Sequence, residues 1–157
     1  MPKILDIITH PNPILRQNSK PIDINSFEEK KWQQLCKDMT LTMLKRDGVG
    51  LAAPQIGRNL RLIVINTADG PLCLINPVLK RKSLRREWGE EGCLSLPNIF
   101  GQVKRHKKVV CNYFDWQKKK KTIVAHGLLA RIIQHEIDHL DGILFIDKAK
   151  NIKKIKQ

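Results

Sequence analysis

The sequence predicts a single α+β domain in which mixed strands pack around one central, buried helix. A chain of 157 residues is the size of one domain. Two stretches space their apolar residues as helices do, and between them lie short runs rich in β-branched and aromatic residues. The second helical stretch is apolar on nearly every side, which is typical of a helix enclosed by strands.

The first predicted helix begins at Ser26. Ser26 and Glu29 have the spacing of a capping box, and an apolar stripe follows at helical intervals. The stripe consists of Trp32, Leu35, Cys36, Met39 and Met43. Two basic residues suit the carboxyl end of this helix, and Gly48 then ends it.

Three β-rich runs follow, over 60–66, 72–77 and 108–116. A lysine-rich turn and a further short run, 122–125, come after the third, which predicts a β-hairpin. The second helix is predicted over 127–140. Its apolar residues are Leu128, Leu129, Ile132, Ile133, Ile137 and Leu140.

The composition indicates where the chain works. No run approaches the eighteen or so apolar residues that cross a bilayer. The amino terminus lacks a basic segment leading into an apolar stretch, so no secretory signal is expected. We therefore expect the cytoplasm or, if a presequence has been removed, the matrix of an organelle, with no membrane partner.

The chain carries a formal charge of +14 at pH 7, which suggests a polyanionic neighbour. Its basic residues cluster at 79–86, 103–108, 117–122 and 151–157. For any single cluster, a solvated, lysine-rich surface is the favoured interpretation. For all the clusters together, the two interpretations remain level.

The second helix contains the pattern HExxH at positions 135–139. Residues four apart lie on one face of a helix, so His135 and His139 can both turn a ring nitrogen toward one cation. Glu136 lies about 100° round the helix, within reach of a metal-bound water without being a ligand. A catalytic site of this kind usually has three protein ligands and one open position, so one ligand is missing.

The third ligand is expected upstream, because no histidine, cysteine or glutamate follows His139. Cys36, Cys73 and Cys111 fall on apolar helix or strand patterns, where reduced, buried thiols are expected. Cys93 differs, since glycines at 89 and 92 and a nearby proline indicate an irregular loop or strand edge. Cys93 is therefore the best candidate ligand. The remaining histidines are expected to be solvated.

A Cys-His-His site accepts Fe(II), Zn(II), Co(II) or Ni(II), and its thiolate must stay reduced. A metal held there would acidify a bound water, Glu136 would accept the proton, and hydroxide would attack a carbonyl. The glycine-rich segment 48–57 can supply an oxyanion donor, the amide of Gln55, and the backbone N–H of Leu94 can supply another. Taken alone, that segment is weak evidence for an oxyanion site, and a helix stop followed by a turn is its favoured interpretation.

Three motifs, GVGLAAPQ at 48–55, EGCLS at 91–95 and QHEIDHLDG at 134–142, resemble the signature set of peptide deformylases. These enzymes remove the formyl group from the N-formylmethionine of new bacterial and organellar chains. The likeness covers most of the chain up to about residue 147. The resemblance implies a catalytic domain over 1–147 followed by a basic tail over 148–157.

The resemblance also implies a set of roles. It assigns the metal to Cys93, His135 and His139, the general base and then acid to Glu136, and the oxyanion to Gln55 and the Leu94 N–H. The family ordinarily uses one Fe(II), with Zn(II), Ni(II) or Co(II) as replacements.

By the same matching, Val49, Gly50 and Gly92 border the peptide, and Val49 with Leu128 lines an apolar methionine pocket. For Leu128, plain core packing is an equal alternative. Asn98 stands where the family often has glycine. Asparagine is among the few other residues that accept a positive φ, so we expect the turn to survive.

The expected partners are N-formylmethionyl nascent peptides and, through the basic surface, the ribosome; a monomer is expected. Two other classes remain open. A zinc endopeptidase would share HExxH but needs a longer cleft and a different third ligand. An RNA- or ribosome-binding protein with an incidental HExxH would hold no stoichiometric metal.

Overall fold

A computed structural model of the chain describes residues 1–26 and 28–156. In that part of the chain, the α-helices are α1, Glu29–Lys45, and α2, Gly127–Leu140. The strands, in chain order, are β1 Gly50–Ala52, β2 Leu62–Thr67, β3 Gly70–Lys82, β4 Arg86–Cys93, β5 Leu96–His106, β6 Lys108–Phe114, β7 Lys120–His126 and β8 Lys150–Lys154. Neither of these helices is long and apolar enough to span a membrane.

The strands form two sheets, one of five strands in the order β1-β2-β3-β6-β7 and one of three strands in the order β4-β5-β8. All pairings between these strands are antiparallel. The expectation of mixed strands is therefore wrong. Neighbours such as β2 and β3 are joined by tight turns, which connect antiparallel strands only. The predicted hairpin is confirmed as β6 and β7.

Helix α2 contacts β1, β2 and β7 of the larger sheet and β5 of the smaller one. Its bounds are those that the apolar pattern predicts. Ile133 and Leu140 pack in one core cluster with Ile63 and Leu74 of the larger sheet. The first turn is different, because Leu128 is 68% exposed. The helix is thus buried along most of its length but reaches the surface where it begins.

Helix α1 begins at Glu29, after Glu28, and no side chain caps its first turn. The predicted capping box at Ser26 is therefore wrong. Ser26 ends a short 3-10 turn, where its hydroxyl donates to the carbonyl of Asp23, so it is engaged in the preceding turn. Phe27 lies outside the described residues. The apolar stripe of α1 is buried as predicted.

Cys36 on α1 and Cys73 on β3 form a disulfide, with 5.9 Å between their Cα atoms. The expectation of reduced thiols is therefore wrong for this pair. Helix α1 packs on the larger sheet, which brings together two cysteines that are 37 residues apart. A tertiary contact of this kind leaves no local pattern in the sequence. Cys111 is a free, buried thiol, as predicted.

Strand β8 comes from the segment expected to form a basic tail. It pairs with β5, with Lys154 opposite Ile99 and Lys150 opposite Gln102. The division of the chain at 147 stays a prediction, but Lys150–Lys154 form an exposed strand of the smaller sheet. Gln157 lies outside the described residues.

Candidate metal centre

Helix α2 places His135 and His139 on one face with their ring centroids 5.1 Å apart. The Sγ of Cys93 lies 3.2 Å from Nε2 of His139. One potential ligand atom from each of these three residues lies within 4.8 Å of the other two. Cys93 is therefore the residue that completes the group begun by the two histidines on α2.

Cys93 is the last residue of β4, beside an irregularity in the pairing of β4 with β5. The register shifts between Gly92, which lies opposite Phe100, and Cys93, which lies opposite Leu96. The predicted strand edge is thus confirmed. Asn98, soon after this turn, has a φ of 64°, so it accepts the positive φ that the sequence analysis expected of it.

The group fits a divalent transition metal. One thiolate and two imidazoles are ligands that Zn(II), Fe(II), Co(II) and Ni(II) accept, and three protein donors leave a position open. Both histidines are buried, and Cys93 is partly buried. Within the described residues, the buried Nδ1 of His139 and Oε1 of Glu136 have no hydrogen-bond partner.

A buried ion network fixes the orientation of His135. Nδ1 of His135 lies 2.8 Å from Oε1 of Glu91. Glu91 also accepts hydrogen bonds from Arg105, at 2.8 and 2.9 Å, and from Arg131, at 2.7 Å. Because Nδ1 is engaged by Glu91, Nε2 of His135 is the nitrogen available to a metal, and such outer contacts set both ring orientation and ligand basicity.

A functional role for Glu91 was not predicted from the sequence. The glycines at 89 and 92 indicated only an irregular loop or strand edge here, with no role for the acids between them. The position of this buried glutamate between two arginines follows only from tertiary contacts, because Arg105 on β5 is 14 residues away and Arg131 on α2 is 40 residues away. Burial opposes ionisation of Glu91, but hydrogen bonds from Arg105 and His135 outweigh burial and lower its pKa well below the usual range.

The titratable groups of α2 differ in their protonation. Burial raises the pKa of Glu136 to about 7, and the neighbouring His135 only partly offsets this. Burial also lowers the pKa of His139 well below its usual value, and His135 adds to the effect. His139 is therefore neutral near pH 7, which is the form in which imidazole binds metals. For His135, burial lowers the pKa, but Glu136, Cys93 and Glu91 together raise it well above the usual value.

Gln55 lies close to the candidate ligands. Its Nε2 is 3.4 Å from Sγ of Cys93 and 3.1 Å from Oγ of Ser95. Its Oε1 accepts the backbone N–H of Ala52, at 2.9 Å, so the amide is held at both ends. Segment 48–57 is not an open loop, because β1 and a 3-10 turn over Ala53–Ile56 occupy most of it.

Gly50 allows the backbone of β1 to approach Glu136. A Cβ added at Gly50 would lie 2.6 Å from Oε2 of Glu136, closer than real Cβ contacts allow. The close approach expected of this glycine is therefore present. The main chain of β1 forms one wall beside the carboxylate.

A cavity of about 730 Å³ opens beside the group. His135, Glu136 and Cys93 line it. Six further residues with a predicted role also line it, namely Val49, Gly50, Gln55, Gly92, Leu94 and Leu128, whereas His139 does not. Val49 and Leu128 are 51% and 68% exposed, so they lie where the cavity meets solvent.

The fold and this group of side chains define an α+β protein with a candidate metal site on its central helix and a cavity beside it. Comparison with known proteins identifies the class further. The model of the polypeptide deformylase family matches residues 4–155. Peptide deformylase 2 of Gloeobacter violaceus is 47% identical over 152 residues, which cover 94% of this chain and 80% of that protein.

Solved structures agree with the sequence comparison. One is a class I type b peptide deformylase of Acinetobacter baumannii, solved with Met-Ala-Ser bound. It superposes with a TM-score of 0.88 at 35% identity, and the match covers 94% of this chain and 99% of that protein's chain. A peptide deformylase of Synechococcus elongatus in complex with actinonin gives a TM-score of 0.87 at 42% identity, over 94% of this chain and 79% of its own. The chain belongs to the polypeptide deformylase family, and it is therefore an enzyme of the hydrolase class.

Proposed function

We propose that the chain hydrolyses the formyl amide at the N-terminal formylmethionine of newly made polypeptides and releases formate. The observation that carries this proposal is the cavity lined by Cys93, His135 and the buried Glu136, two of which belong to the candidate metal group with His139. Met-Ala-Ser, which the A. baumannii relative binds, is what remains when formyl-Met-Ala-Ser loses its formyl group.

We assign one divalent metal ion to Cys93, His135 and His139, with Fe(II) in first place and Zn(II), Ni(II) or Co(II) as replacements. Such an ion, when bound, polarises a carbonyl and makes water more acidic. The chain itself keeps the donors in position. Glu91 supports this assignment, because it holds Nδ1 of His135 and so leaves the other ring nitrogen for the ion.

Glu136 takes a proton from the attacking water and then delivers it to the leaving amide nitrogen. Burial supports this role, because it raises the pKa of Glu136 to about 7. A group with a pKa near the working pH both accepts and returns a proton readily. Gly50 contributes by leaving room for the carboxylate beside β1.

Gln55 and the backbone N–H of Leu94 stabilise the negative charge that develops on the formyl oxygen. Support for Gln55 comes from its amide, whose Nε2 lies 3.4 Å from Sγ of Cys93 and whose Oε1 is anchored by Ala52. Leu94 follows Cys93 directly and lines the same cavity. Donors held in place before the reaction stabilise a developing charge without reorganisation.

Val49, Gly50, Gly92 and Leu128 border the bound peptide, with Val49 and Leu128 against the methionine side chain. All four line the cavity. Exposure of Val49 and Leu128 at the cavity mouth favours this assignment over plain core packing. A bound methionine would cover the apolar surface that these two side chains leave in water.

Cys93 bears on the endopeptidase alternative, which requires a different third ligand. The position beside His139 is taken by a thiol, at 3.2 Å.

The compartment, the monomeric state, the catalytic domain over 1–147 and the ribosome contact stay predictions. A ribosome contact made by the basic clusters would weaken as salt is raised.

The direct test is formate release from formyl-Met-Ala-Ser by protein prepared anaerobically and loaded with Fe(II) or Ni(II). Wild type should release formate, and Glu136→Ala should be slower by about 10²–10⁴-fold while still binding metal. Cys93→Ala should lose both metal and activity. Cys111→Ala is the matched control, because it removes the other free thiol, which lies in the core of the larger sheet.

Intact formyl-Met-Ala-Ser after incubation with metal-loaded wild type would contradict the proposed function. Cleavage of the Met–Ala bond with the formyl group retained would instead favour an endopeptidase. Equal losses in Cys93→Ala and Cys111→Ala would show that the effect is not specific to the cavity.

A further inference from the structure

The outer face of the three-stranded sheet carries an exposed tryptophan among basic side chains. Side chains alternate between the two faces of a strand, so Arg86, Trp88 and Glu90 of β4 share one face, and Glu91 points to the other. Glu91 is buried, whereas Trp88 is 47% exposed. The outer face is thus the solvent side of the strand whose inner side supports His135.

Two lysines flank the Trp88 ring. Lys104 lies directly opposite Trp88 on β5, and its Nζ is 5.9 Å from the ring centroid. Lys150 on β8 places its Nζ 5.3 Å from the same centroid. Each distance is that of a cation–π contact. All three strands of the sheet therefore contribute to one aromatic and basic surface.

The charges of this surface are largely available to an external anion. Among residues 1–26 and 28–156, the ion pairs include neither Lys104 nor Lys150. Lys153 pairs with Glu90 at 3.4 Å, and Arg86 adds an exposed positive charge near Trp88. The surface is therefore positive around an aromatic ring that is partly exposed to solvent.

We propose that this face of β4, β5 and β8 binds single-stranded RNA, with one base stacked on Trp88 and the adjacent phosphates on Lys104 and Lys150. A basic surface with an exposed aromatic ring is the chemistry that holds single strands, because every base has a face that stacks and every linkage has a phosphate. A duplex presents no free base face, so it binds less tightly.

RNA is the polyanion we assign because, under the proposed function, the substrate is a polypeptide still close to the machinery that makes it; this choice rests on that function. The geometry is consistent, since Glu90, two residues from Trp88, lines the cavity. RNA on this face would hold the cavity beside the emerging chain.

The test uses a fluorescein-labelled twelve-nucleotide CA-repeat RNA and the full chain at several salt concentrations. Trp88→Ala should weaken binding about tenfold, which corresponds to roughly 1.4 kcal/mol and is in the range of one lost stacking contact, and Trp88→Phe should retain most of the affinity. Lys104→Gln/Lys150→Gln should lower the slope of log affinity against log salt by about 1.4. Lys119→Gln/Lys120→Gln removes the same charge from exposed positions at the start of β7 and should change affinity far less.

Several results would overturn the inference. These are an unchanged affinity in Trp88→Ala, equal losses in the two lysine double variants, equal binding of a duplex, tighter binding of the matched DNA, and a preference for anionic phospholipid vesicles. Formate release measured on the same variants separates the two proposals. Wild type that releases formate but binds no RNA would reject this surface alone, and wild type that binds RNA on this surface but releases no formate would reject the proposed function alone.

Discussion

The two faces of the three-stranded sheet use the same strands for different purposes. On the inner face, Glu91 and Arg105 are 6% and 3% exposed and form hydrogen-bonded ion pairs around His135. On the outer face, Glu90 and Lys153 form an ion pair at 3.4 Å with side chains that are 51% and 64% exposed. Adjacent residues of one strand, Glu90 and Glu91, thus face opposite environments.

The difference between the faces is one of solvation. Charges removed from water depend on their partners, so breaking a buried pair leaves an uncompensated charge and costs several kcal/mol. Charges in water are screened, and a surface pair contributes about 0–1 kcal/mol. The inner face can therefore orient a metal ligand rigidly, while the outer face is free to exchange its partners with a ligand.

The largest expected effect comes from Glu91→Gln. Loss of the negative charge leaves Arg105 and Arg131 buried with weaker partners, which should lower the free energy of unfolding by about 3 kcal/mol. It should also weaken metal binding about 10–100-fold, because Nδ1 of His135 loses its carboxylate. Urea unfolding and equilibrium dialysis with Zn(II) measure the two effects.

Glu90→Gln is the matched control, since it makes the same chemical change one residue away on the outer face. Its free energy of unfolding should stay within about 0.5 kcal/mol of wild type. Similar losses in Glu90→Gln and Glu91→Gln would remove the distinction between the two faces.

An intermediate effect is expected from Gly89→Ala. A Cβ at Gly89 would lie 2.8 Å from Cζ of Arg131, whose guanidinium is held by Glu91, Val103 and Glu87. Because that group cannot move without losing hydrogen bonds, the substitution should cost about 1–3 kcal/mol of unfolding free energy. Chemical denaturation of the single variant measures this.

The cause of the Gly89→Ala effect can be checked with Arg131→Met as a second change. In that background the obstructing guanidinium is absent, so Gly89→Ala should cost much less than it does alone. Additive losses would mean that the strain lies elsewhere.

The smallest expected effect comes from Asp147→Asn, which removes the carboxylate of an exposed ion pair with Arg16. The hydrogen bond from Arg16 lowers the pKa of Asp147 below its usual value. Since the folded pKa is the lower one, the stabilisation is complete above the unfolded pKa of about 4 and is lost as pH falls through the folded pKa. Wild type should exceed the variant by less than about 1 kcal/mol at pH 7, and the two should converge in acid when thermal unfolding is followed against pH.

The sequence predicts α2 and the Cys93 strand edge well, because both depend on local patterns. Histidines four apart on an apolar helix and a cysteine between turn-forming residues are visible in a few consecutive positions. The contact between Cys93 and His139, across 46 residues, follows only by elimination of the other cysteines or by resemblance to a family.

The features that were missed depend on tertiary contacts. The disulfide between Cys36 and Cys73 requires the packing of α1 on β3, and the role of Glu91 requires Arg105 across β5 and Arg131 on α2. Each partner alone looks like an ordinary core cysteine or a surface charge. The predicted start of α1 was wrong for a local reason, because the hydroxyl of Ser26 donates to the carbonyl of Asp23 in the turn before the helix.

The most direct test of the central claim is the absorption spectrum of the Co(II)-loaded protein, since a thiolate bound to Co(II) gives a ligand-to-metal charge-transfer band. Wild type and Cys111→Ala should both show the band, and Cys93→Ala should lack it. A band of undiminished intensity in Cys93→Ala, or no band in wild type that holds one Co(II), would show that Cys93 does not complete the site with His135 and His139.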